Sequence, residues 1–232
     1  MDELYHAPNL VAVYDTLNDE REDFDFYLSQ LLAPPAKVAD LGCGTGTFAI
    51  ELAHLGYQVV GIEPATPTLA RARIKGGDAV CWIEGTIADV PETERFNAII
   101  MTGHAFQCLL RDTDIENLFS EVGRRLVPGG AFLFETRNPA ARAWDRCPPP
   151  EQAGAPRPLP DGRLVRVVHE VERGDVGGRC DGLVDGVQIA DVIANSLFNT
   201  VIGSPRAPRI QRIIKPMLAS KAIRIAELTQ VP

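Results

Sequence analysis

The most constraining feature of the sequence is a glycine-rich stretch at residues 38–48, which reads VADLGCGTGTF. A short apolar run ends at Leu41, and Gly42, Gly44 and Gly46 follow at every second position before the helix-like segment FAIELAHLG. Glycine adopts positive φ and lets the backbone approach a ligand closely, and the first turn of a helix presents unpaired N–H groups. The pattern therefore predicts a strand, a tight turn and a helix that together form a nucleotide-type pocket.

The glycine spacing distinguishes two kinds of pocket. A dinucleotide-binding G-x-G-x-x-G fingerprint would need its third glycine at position 47, where this chain has Thr47. The pattern is instead D-x-G-x-G-x-G, beginning at Asp40. It resembles the first motif of class I S-adenosylmethionine-dependent methyltransferases, and the resemblance covers about residues 10–145. It implies a Rossmann-like three-layer α/β sandwich with a mostly parallel sheet, S-adenosyl-L-methionine as cofactor, and no metal.

In that family the turn forms the pocket for the cofactor's amino-acid end. The resemblance therefore assigns this role, largely through the backbone, to Asp40, Gly42, Cys43, Gly44 and Gly46. The family's product, S-adenosyl-L-homocysteine, would occupy the same pocket.

Size and composition narrow the class of protein. A chain of 232 residues predicts one sizeable α/β domain with an appendage. The net charge of −8 argues against a general nucleic-acid binder, and no apolar run approaches the roughly eighteen residues of a membrane span. The N-terminus is acidic and polar, unlike a signal peptide, and the five cysteines lack a C-x-x-C pair. We therefore expect a cytoplasmic monomer or homodimer that binds a small-molecule acceptor, and neither nucleic acid nor membrane.

The second predicted strand, residues 58–62, supplies a candidate for binding ribose. It ends in Glu63-Pro64, and Glu63 lies 17 residues beyond Gly46. A carboxylate at the tip of the second strand of a βαβ unit is placed to accept hydrogen bonds from ribose hydroxyls. An exposed surface glutamate is the alternative.

The third predicted strand, residues 79–83, leads into the turn EGTIADVP. The resemblance implies that this turn lies along the adenine, with an acidic side chain often taking the exocyclic amine. Thr86 stands at the usual position of that acid, and Asp89 follows three residues later. Backbone groups of Thr86 and Ile87 would therefore border the ring.

A fourth apolar run, residues 96–102, predicts a strand covered on both faces. The resemblance implies that Met101, Thr102, Gly103 and His104 flank the reacting end of the cofactor, at the edge where open α/β sheets bind ligands. An unperturbed pKa near 6.5 makes His104 a candidate general base. Because methyl transfer from a sulfonium often needs only alignment, a pocket-lining His104 is the alternative.

Helices are predicted on both sides of these strands. DEREDFDFYLSQLLA predicts an amphipathic helix preceded by Tyr14, with its apolar face formed by Phe24, Tyr27, Leu28, Leu31 and Leu32. In the resembling family an aromatic near Tyr14 often closes over the methionine end of the cofactor; a tyrosine packed under the helix is the alternative. Two later helices have candidate N-caps: Thr66 or Thr68 in the first, and Asp112 or Thr113 in the second. The second helix is followed by a PGG turn and a fifth predicted strand.

The sequence changes character after about residue 145. Residues 146–161 contain six prolines and predict an irregular loop or linker. LVRVVHEV (164–171) predicts a strand that can pair with GLVDGVQIADVI across a glycine-rich connection. We therefore expect residues 1–145 to form the cofactor-binding domain, and residues 146–232 a small antiparallel or irregular appendage.

The last part of the chain departs from the family. Only one of fifteen aromatic residues, Phe198, lies after Trp144, and residues 192–226 contain six Lys or Arg and no acid. Three interpretations stay open: a divergent ending that still supplies the last strands, a module for an anionic partner, or an unrelated tail gained by a shifted reading frame.

The resemblance implies a methyltransferase that moves the sulfonium methyl to a small-molecule O, N or C nucleophile. A catalytically impaired protein that still binds the cofactor and an NAD-dependent oxidoreductase are the alternatives.

Overall fold

A five-stranded parallel sheet in the order β3-β2-β1-β4-β5 forms the centre of the structure. Its strands are β1 (Lys37–Leu41), β2 (Gln58–Glu63), β3 (Cys81–Glu84), β4 (Phe96–Met101) and β5 (Leu126–Phe134). The computed structural model describes residues 3–18, 22–103, 105–109, 111–135, 155–159, 161–165, 171–174 and 177–180. The strand order reverses between β1 and β4, and open α/β sheets bind ligands outside the carboxyl ends of the strands at such a reversal.

Six α-helices accompany the sheet in the described residues: α1 (Glu3–His6), α2 (Pro8–Leu17), α3 (Glu22–Gln30), α4 (Thr47–His54), α5 (Thr66–Gly76) and α6 (Asp112–Arg125). Both faces of the sheet are covered by apolar side chains, as parallel strands require. One face packs on α6 and the other on α3 and α4. The Rossmann-like sandwich with a mostly parallel sheet is therefore confirmed.

The core on the α6 face follows from helical periodicity. Ile115, Leu118, Phe119 and Val122 recur at three- and four-residue spacing and are all buried. Leu126 continues the same spacing, but it begins β5 and packs against this core. On the opposite face Phe24 and Tyr27 are buried as predicted, but Leu32 is exposed.

The N-terminal segment is divided into more helices than the sequence predicts. The structure has two helices before α3, and Tyr14 lies inside α2 instead of before a single amphipathic helix. The hydroxyl of Thr68 donates to the backbone oxygen of Tyr5 at 2.6 Å, so α1 is fastened to α5.

The predicted N-caps are wrong. Ala65 is the N-cap of α5 and Arg111 that of α6, and neither makes a side-chain capping bond. Thr66 donates to Glu84 and Thr68 to Tyr5, so tertiary partners take the hydroxyls that local capping would have used.

The predicted PGG turn lies inside β5. The strand register jumps there, because Phe96 pairs with Leu126 whereas Ala98 pairs with Ala131. Gly129, at φ +81°, supplies the left-handed conformation within this irregularity.

Short antiparallel pairs follow the sheet, as expected for the appendage. Strands β6 (Arg157–Pro158) and β7 (Leu164–Val165) pair with each other, and so do β8 (Val171–Gly174) and β9 (Gly177–Cys180). The glycine-rich connection itself forms the β8–β9 pair. The predicted pairing of residues 164–171 with GLVDGVQIADVI stays a prediction. GLVDGVQIADVI and the basic tail lie outside the described residues. Within the described part of the chain, no helix has the length and apolar character that crossing a membrane requires.

Candidate functional site

The glycine-rich turn adopts the conformation that its spacing predicts. Gly42, Gly44 and Gly46 have φ of +69°, +57° and +79°, a region that L side chains rarely adopt. The N–H groups of Gly42 and Cys43 donate to Ile62 O at 2.8 and 3.1 Å, which ties the turn to β2. The alternation of glycine is therefore required by the backbone itself.

The three glycines differ in what surrounds them. A Cβ added at Gly42 would lie 2.6 Å from Cβ of Ala105, and one at Gly46 would lie 2.6 Å from the indole of Trp82. A Cβ at Gly44 would meet nothing within 4 Å. Gly42 and Gly46 thus allow close packing inside the protein, whereas Gly44 borders open space.

Glu63 links the turn to its neighbours at the end of β2. Its Oε2 accepts the N–H of Gly44 at 3.1 Å and its Oε1 accepts the N–H of Ala65 at 2.9 Å. The residue is 6% exposed, and burial raises the pKa of its carboxyl although both N–H bonds oppose this shift. The alternative of an exposed surface glutamate is wrong; Pro64, the next residue, is exposed.

The turn after β3 lies beside Glu63. The N–H of Gly85 donates to Glu63 O at 3.1 Å. Thr86 caps a short 3₁₀ helix: its N–H donates to Asp89 Oδ2 at 2.7 Å and its hydroxyl to the same oxygen at 3.0 Å. These bonds lower the pKa of Asp89. Ile87 is buried in the core on the α6 face.

The end of β4 faces the glycine turn across the strand-order reversal. Met101 is buried, Thr102 is partly buried, and Gly103 is exposed at φ +61°. A Cβ at Gly103 would meet nothing within 4 Å, so it borders open space as Gly44 does. The structure thus places Met101, Thr102 and Gly103 at the predicted edge. His104 lies outside the described residues, and its role as a base stays a prediction.

Asp40 and Cys43 carry the polar side chains of the predicted amino-acid pocket. Asp40 is 1% exposed at the end of β1. Burial, together with the nearby carboxylates of Asp40 and Glu63, raises the pKa of the Cys43 thiol well above its usual range. At neutral pH Cys43 is therefore a neutral side chain.

A buried tyrosine on the α3 face was not identified as polar from the sequence. The hydroxyl of Tyr27 donates to Glu135 Oε2 at 3.3 Å, and Glu135 directly follows β5. Burial, then Glu135, Asp23 and Asp40, raise the pKa of Tyr27, so the phenol stays protonated. The sequence placed Tyr27 only in an apolar stripe, and the pattern carried no signal for its partner.

An ionic contact on the outer side of the turn was also missed. The hydroxyl of Thr45 donates to Asp15 Oδ1, while Arg71 Nε and Lys75 Nζ contact Asp15 Oδ2 at 3.0 and 3.1 Å. Lys75 Nζ also donates to Thr47 Oγ1 at 3.0 Å. Burial raises the pKa of Asp15, but the hydrogen bonds from Thr45 and Lys75 and the charges outweigh it, so the net shift is downward. We call Asp15, Thr45, Arg71 and Lys75 the outer latch.

Tyr14 directly precedes Asp15, a member of the outer latch. Its ring centroid lies 6.0 Å from that of Tyr5 on α1, so Tyr14 contacts the first N-terminal helix. The latch and the bond from Thr68 to Tyr5 together hold α1 and α2 against α5 and the glycine turn.

A parallel sheet in this order, with a D-x-G-x-G-x-G turn after β1 and an acidic residue ending β2, is the arrangement that the resemblance to class I methyltransferases predicts. Residues 38–130 match the model of the family described as "Methyltransferase domain". The match spans part of the chain, from β1 into β5.

Curated relatives resemble the same part of the chain. A cypemycin N-terminal methyltransferase from Streptomyces sp is 32% identical over 104 residues, covering 44% of this chain and 42% of the relative. A ubiquinone biosynthesis O-methyltransferase from Bradyrhizobium sp. (strain ORS 278) is 29% identical over 111 residues, covering 47% and 41%. The chain spans about half the length, or less, of the curated relatives it matches.

Solved structures share the fold. S-adenosylmethionine-bound CalS10, an amino pentose methyltransferase from Micromonospora echinaspora, is 22% identical, with a TM-score of 0.57 over 72% of each chain. This likeness bears on the fold alone. Among the described residues, no three His, Cys, Asp or Glu side chains are grouped as metal ligands would be.

Proposed function

We propose that this chain is an S-adenosylmethionine-dependent methyltransferase acting on an oxygen, nitrogen or carbon nucleophile of a small molecule. The observation that carries the proposal is the position of Glu63, which joins the glycine turn to the end of β2. Each carboxylate oxygen has two lone pairs and uses one of them for a backbone N–H in the described contacts. Glu63 therefore keeps acceptor capacity for two ribose hydroxyls.

The open space beside the glycines supports the placement of the cofactor. Gly44 and Gly103 both border open space, because a Cβ added at either position would meet no atom within 4 Å. The two glycines lie on the two sides of the strand-order reversal. The methionine end would lie along the turn from Asp40 to Gly46, and its methyl group near Met101, Thr102 and Gly103. Tyr14 would close over this end from α2.

The adenine end would follow β3. The backbone of Thr86 and Ile87 would border the ring from a rigid turn, since Asp89 fixes the Thr86 N–H and the Ile87 side chain is buried in the core. The Thr86 N–H is therefore already satisfied within the protein, so adenine recognition would use the other backbone groups of this turn. Pro64, exposed after Glu63, would border the ribose.

The cofactor would supply an activated sulfonium methyl group, and the chain's own part would be alignment. Holding the nucleophile in line with the methyl group at near-contact distance can supply most of the acceleration. His104 is the proposed base for an acceptor that must lose a proton. One relative is an N-terminal methyltransferase and another an O-methyltransferase, so the acceptor atom stays open among oxygen, nitrogen and carbon.

The appendage would cover the acceptor site. The contact that supports this role is a hydrogen bond from Arg157 Nη1 on β6 to Thr16 O on α2, at 3.2 Å. We therefore keep the division into a cofactor-binding domain at 1–145 and a lid or remainder at 146–232. The acidic net charge supports a small-molecule acceptor over nucleic acid, and cysteine usage supports a cytoplasmic location.

Calorimetric titration of S-adenosylmethionine and S-adenosylhomocysteine into the wild type and Glu63→Ala tests the proposal. We expect micromolar binding that weakens by about 1–3 kcal/mol in the variant, the cost of charge-assisted hydrogen bonds. Glu94→Ala is the matched control, because it removes a glutamate that pairs with Lys37 at the opposite edge of the sheet. A folded wild type that binds neither ligand, or that binds NAD(H) instead, contradicts the proposal.

A turnover assay separates the enzyme from an impaired binding protein. We expect His104→Ala to lower kcat by about 10²-fold or more if His104 is the base. An unchanged kcat with a raised KM would assign His104 to the pocket lining. Binding without any turnover over a panel of small amines and phenols would favour the impaired protein.

A further inference from the structure

Trp82, on β3, lies against Gly46 of the glycine turn although β2 separates β3 from β1 in the sheet. A Cβ at Gly46, Gly61 or Gly76 would come within 2.6, 2.6 and 2.7 Å of the indole ring. Real Cβ atoms do not approach other atoms so closely. The indole therefore fills a slot that exists only because the turn, β2 and α5 each place a glycine around it.

The orientation of the indole is fixed at its other end. Nε1 of Trp82 donates to the backbone oxygen of Gly77 at 3.0 Å, just after α5. The six-membered ring meanwhile reaches Gly46, the residue that precedes α4 and has φ of +79°. A hydrogen bond and a ring contact at opposite ends leave this rigid side chain little freedom to rotate.

Gly46 is the last glycine of the turn and the N-cap of α4. Gly44, two residues earlier in the turn, borders open space, since a Cβ there would meet no atom within 4 Å. A rigid ring beneath Gly46 limits the positions that the turn can occupy. A binding loop that is already ordered costs less conformational entropy when the ligand binds, and so binds more tightly.

We propose that Trp82 is a positioning residue that holds the glycine turn in its binding geometry and thereby sets cofactor affinity without touching the cofactor. This inference rests on the proposed function, because it concerns the same pocket. It assigns a role in cofactor binding to a strand residue outside the predicted site and to Gly61 and Gly76, which the glycine motif does not include.

The first test compares Trp82→Leu with a core variant of similar cost. Val122→Ala, on α6 and fully buried, truncates a side chain on the other face of the sheet. We expect Trp82→Leu to raise the Kd of S-adenosylhomocysteine about 10-fold, with kcat at saturating cofactor within about 2-fold of the wild type. Val122→Ala is expected to lower the Tm while leaving this Kd unchanged.

The second test uses the glycine that has an ordinary backbone conformation. Gly61 has no positive φ, so the contact with Trp82 is the principal obstacle to Gly61→Ala. We expect Gly61→Ala to lower Tm and raise the Kd, and the double variant Trp82→Leu/Gly61→Ala to bind about as well as Trp82→Leu alone. Such coupling is what a double-mutant cycle measures.

The outcomes separate this inference from the proposed function. A wild type that binds S-adenosylhomocysteine and a folded Trp82→Leu that binds it equally well would overturn the positioning role alone. Additive effects of Gly61→Ala and Trp82→Leu would overturn it as well. A folded wild type that does not bind S-adenosylhomocysteine would overturn the proposed function, and this inference with it.

Discussion

The two sides of the glycine turn are held by carboxylates in contrasting ways. On the inner side Glu63, 6% exposed, accepts only backbone N–H groups, from Gly44 and Ala65. On the outer side Asp15, with 24% of its side chain exposed, is bound by the Thr45 hydroxyl and by two cations. Gly44 and Thr45 are neighbours in the chain, so one short segment is fixed from both directions.

The pKa shifts of the two carboxyls run in opposite directions. Burial raises the pKa of both groups, but only at Asp15 do the hydrogen bonds from Thr45, Lys75 and Arg71 and the charge of Lys75 outweigh burial. At Glu63 the backbone N–H groups of Ala65 and Gly44 and the charge of His6 favour the carboxylate, but burial outweighs them. Asp15 is already neutralised and serves to attach α2 to the turn.

The largest effect is expected on the inner side. Glu63→Ala leaves the N–H groups of Gly44 and Ala65 without their acceptor and should lower the free energy of unfolding by about 2 kcal/mol. Urea denaturation measures this loss. Glu63→Gln, which keeps one acceptor oxygen, should fall between the wild type and Glu63→Ala, and an equal loss in both variants would contradict the assigned backbone bonds.

A smaller and salt-sensitive effect is expected on the outer side. Asp15→Asn weakens partly exposed ion pairs with Arg71 and Lys75 and should cost about 1 kcal/mol. Repeating the urea denaturation in 1 M NaCl should remove most of this difference, because salt screens exposed charges. The loss of unfolding free energy in Glu63→Ala should persist in 1 M NaCl. If salt reduced the losses in Glu63→Ala and Asp15→Asn equally, the proposed difference between the two sides of the turn would be wrong.

The pH dependence should separate the two sides by sign. The folded-state pKa of Glu63 is raised above 4.5, so its stabilising contribution is full below that pH and is lost as pH rises through the folded value. The pKa of Asp15 is lowered below 3.8, so its contribution is present above that pH and is lost as pH falls through the folded value. The free energy of unfolding of the wild type is compared with that of Glu63→Gln and with that of Asp15→Asn at each pH from 3 to 7. The two differences should change with pH in opposite directions.

The smallest effect is expected at the edge of the outer latch. Thr47→Ala removes one of the partners of Lys75 but leaves its contact with Asp15, so the free energy of unfolding should change by less than about 0.5 kcal/mol. Thermal denaturation checks this expectation. A loss as large as that of Asp15→Asn would mean that the latch acts as one coupled network.

Local patterns predicted the centre of the molecule well. Strand β1 ends at Leu41 as predicted, β2 ends at Glu63, and the three glycines of the turn all have positive φ. These features depend on neighbouring residues, since apolar runs and glycine spacing constrain the backbone directly.

Contacts between distant residues could not be predicted in the same way. Asp15 and Thr45 are 30 residues apart, and Tyr27 and Glu135 are 108 apart. The misplaced N-cap of α5 has the same cause, because the hydroxyls of Thr66 and Thr68 found partners elsewhere in the fold. The pairing of β8 with β9 was missed because its glycine-rich strands lack the apolar alternation by which strands are recognised.

The neutral thiol in the glycine turn has a consequence for covalent chemistry. Alkylating agents and peroxides react with thiolates, and the raised pKa of Cys43 leaves almost none at neutral pH. Two of the other described cysteines, Cys81 and Cys108, are exposed and would react first. Maleimide labels could therefore be attached to those two positions while the sulfur in the turn stays unmodified.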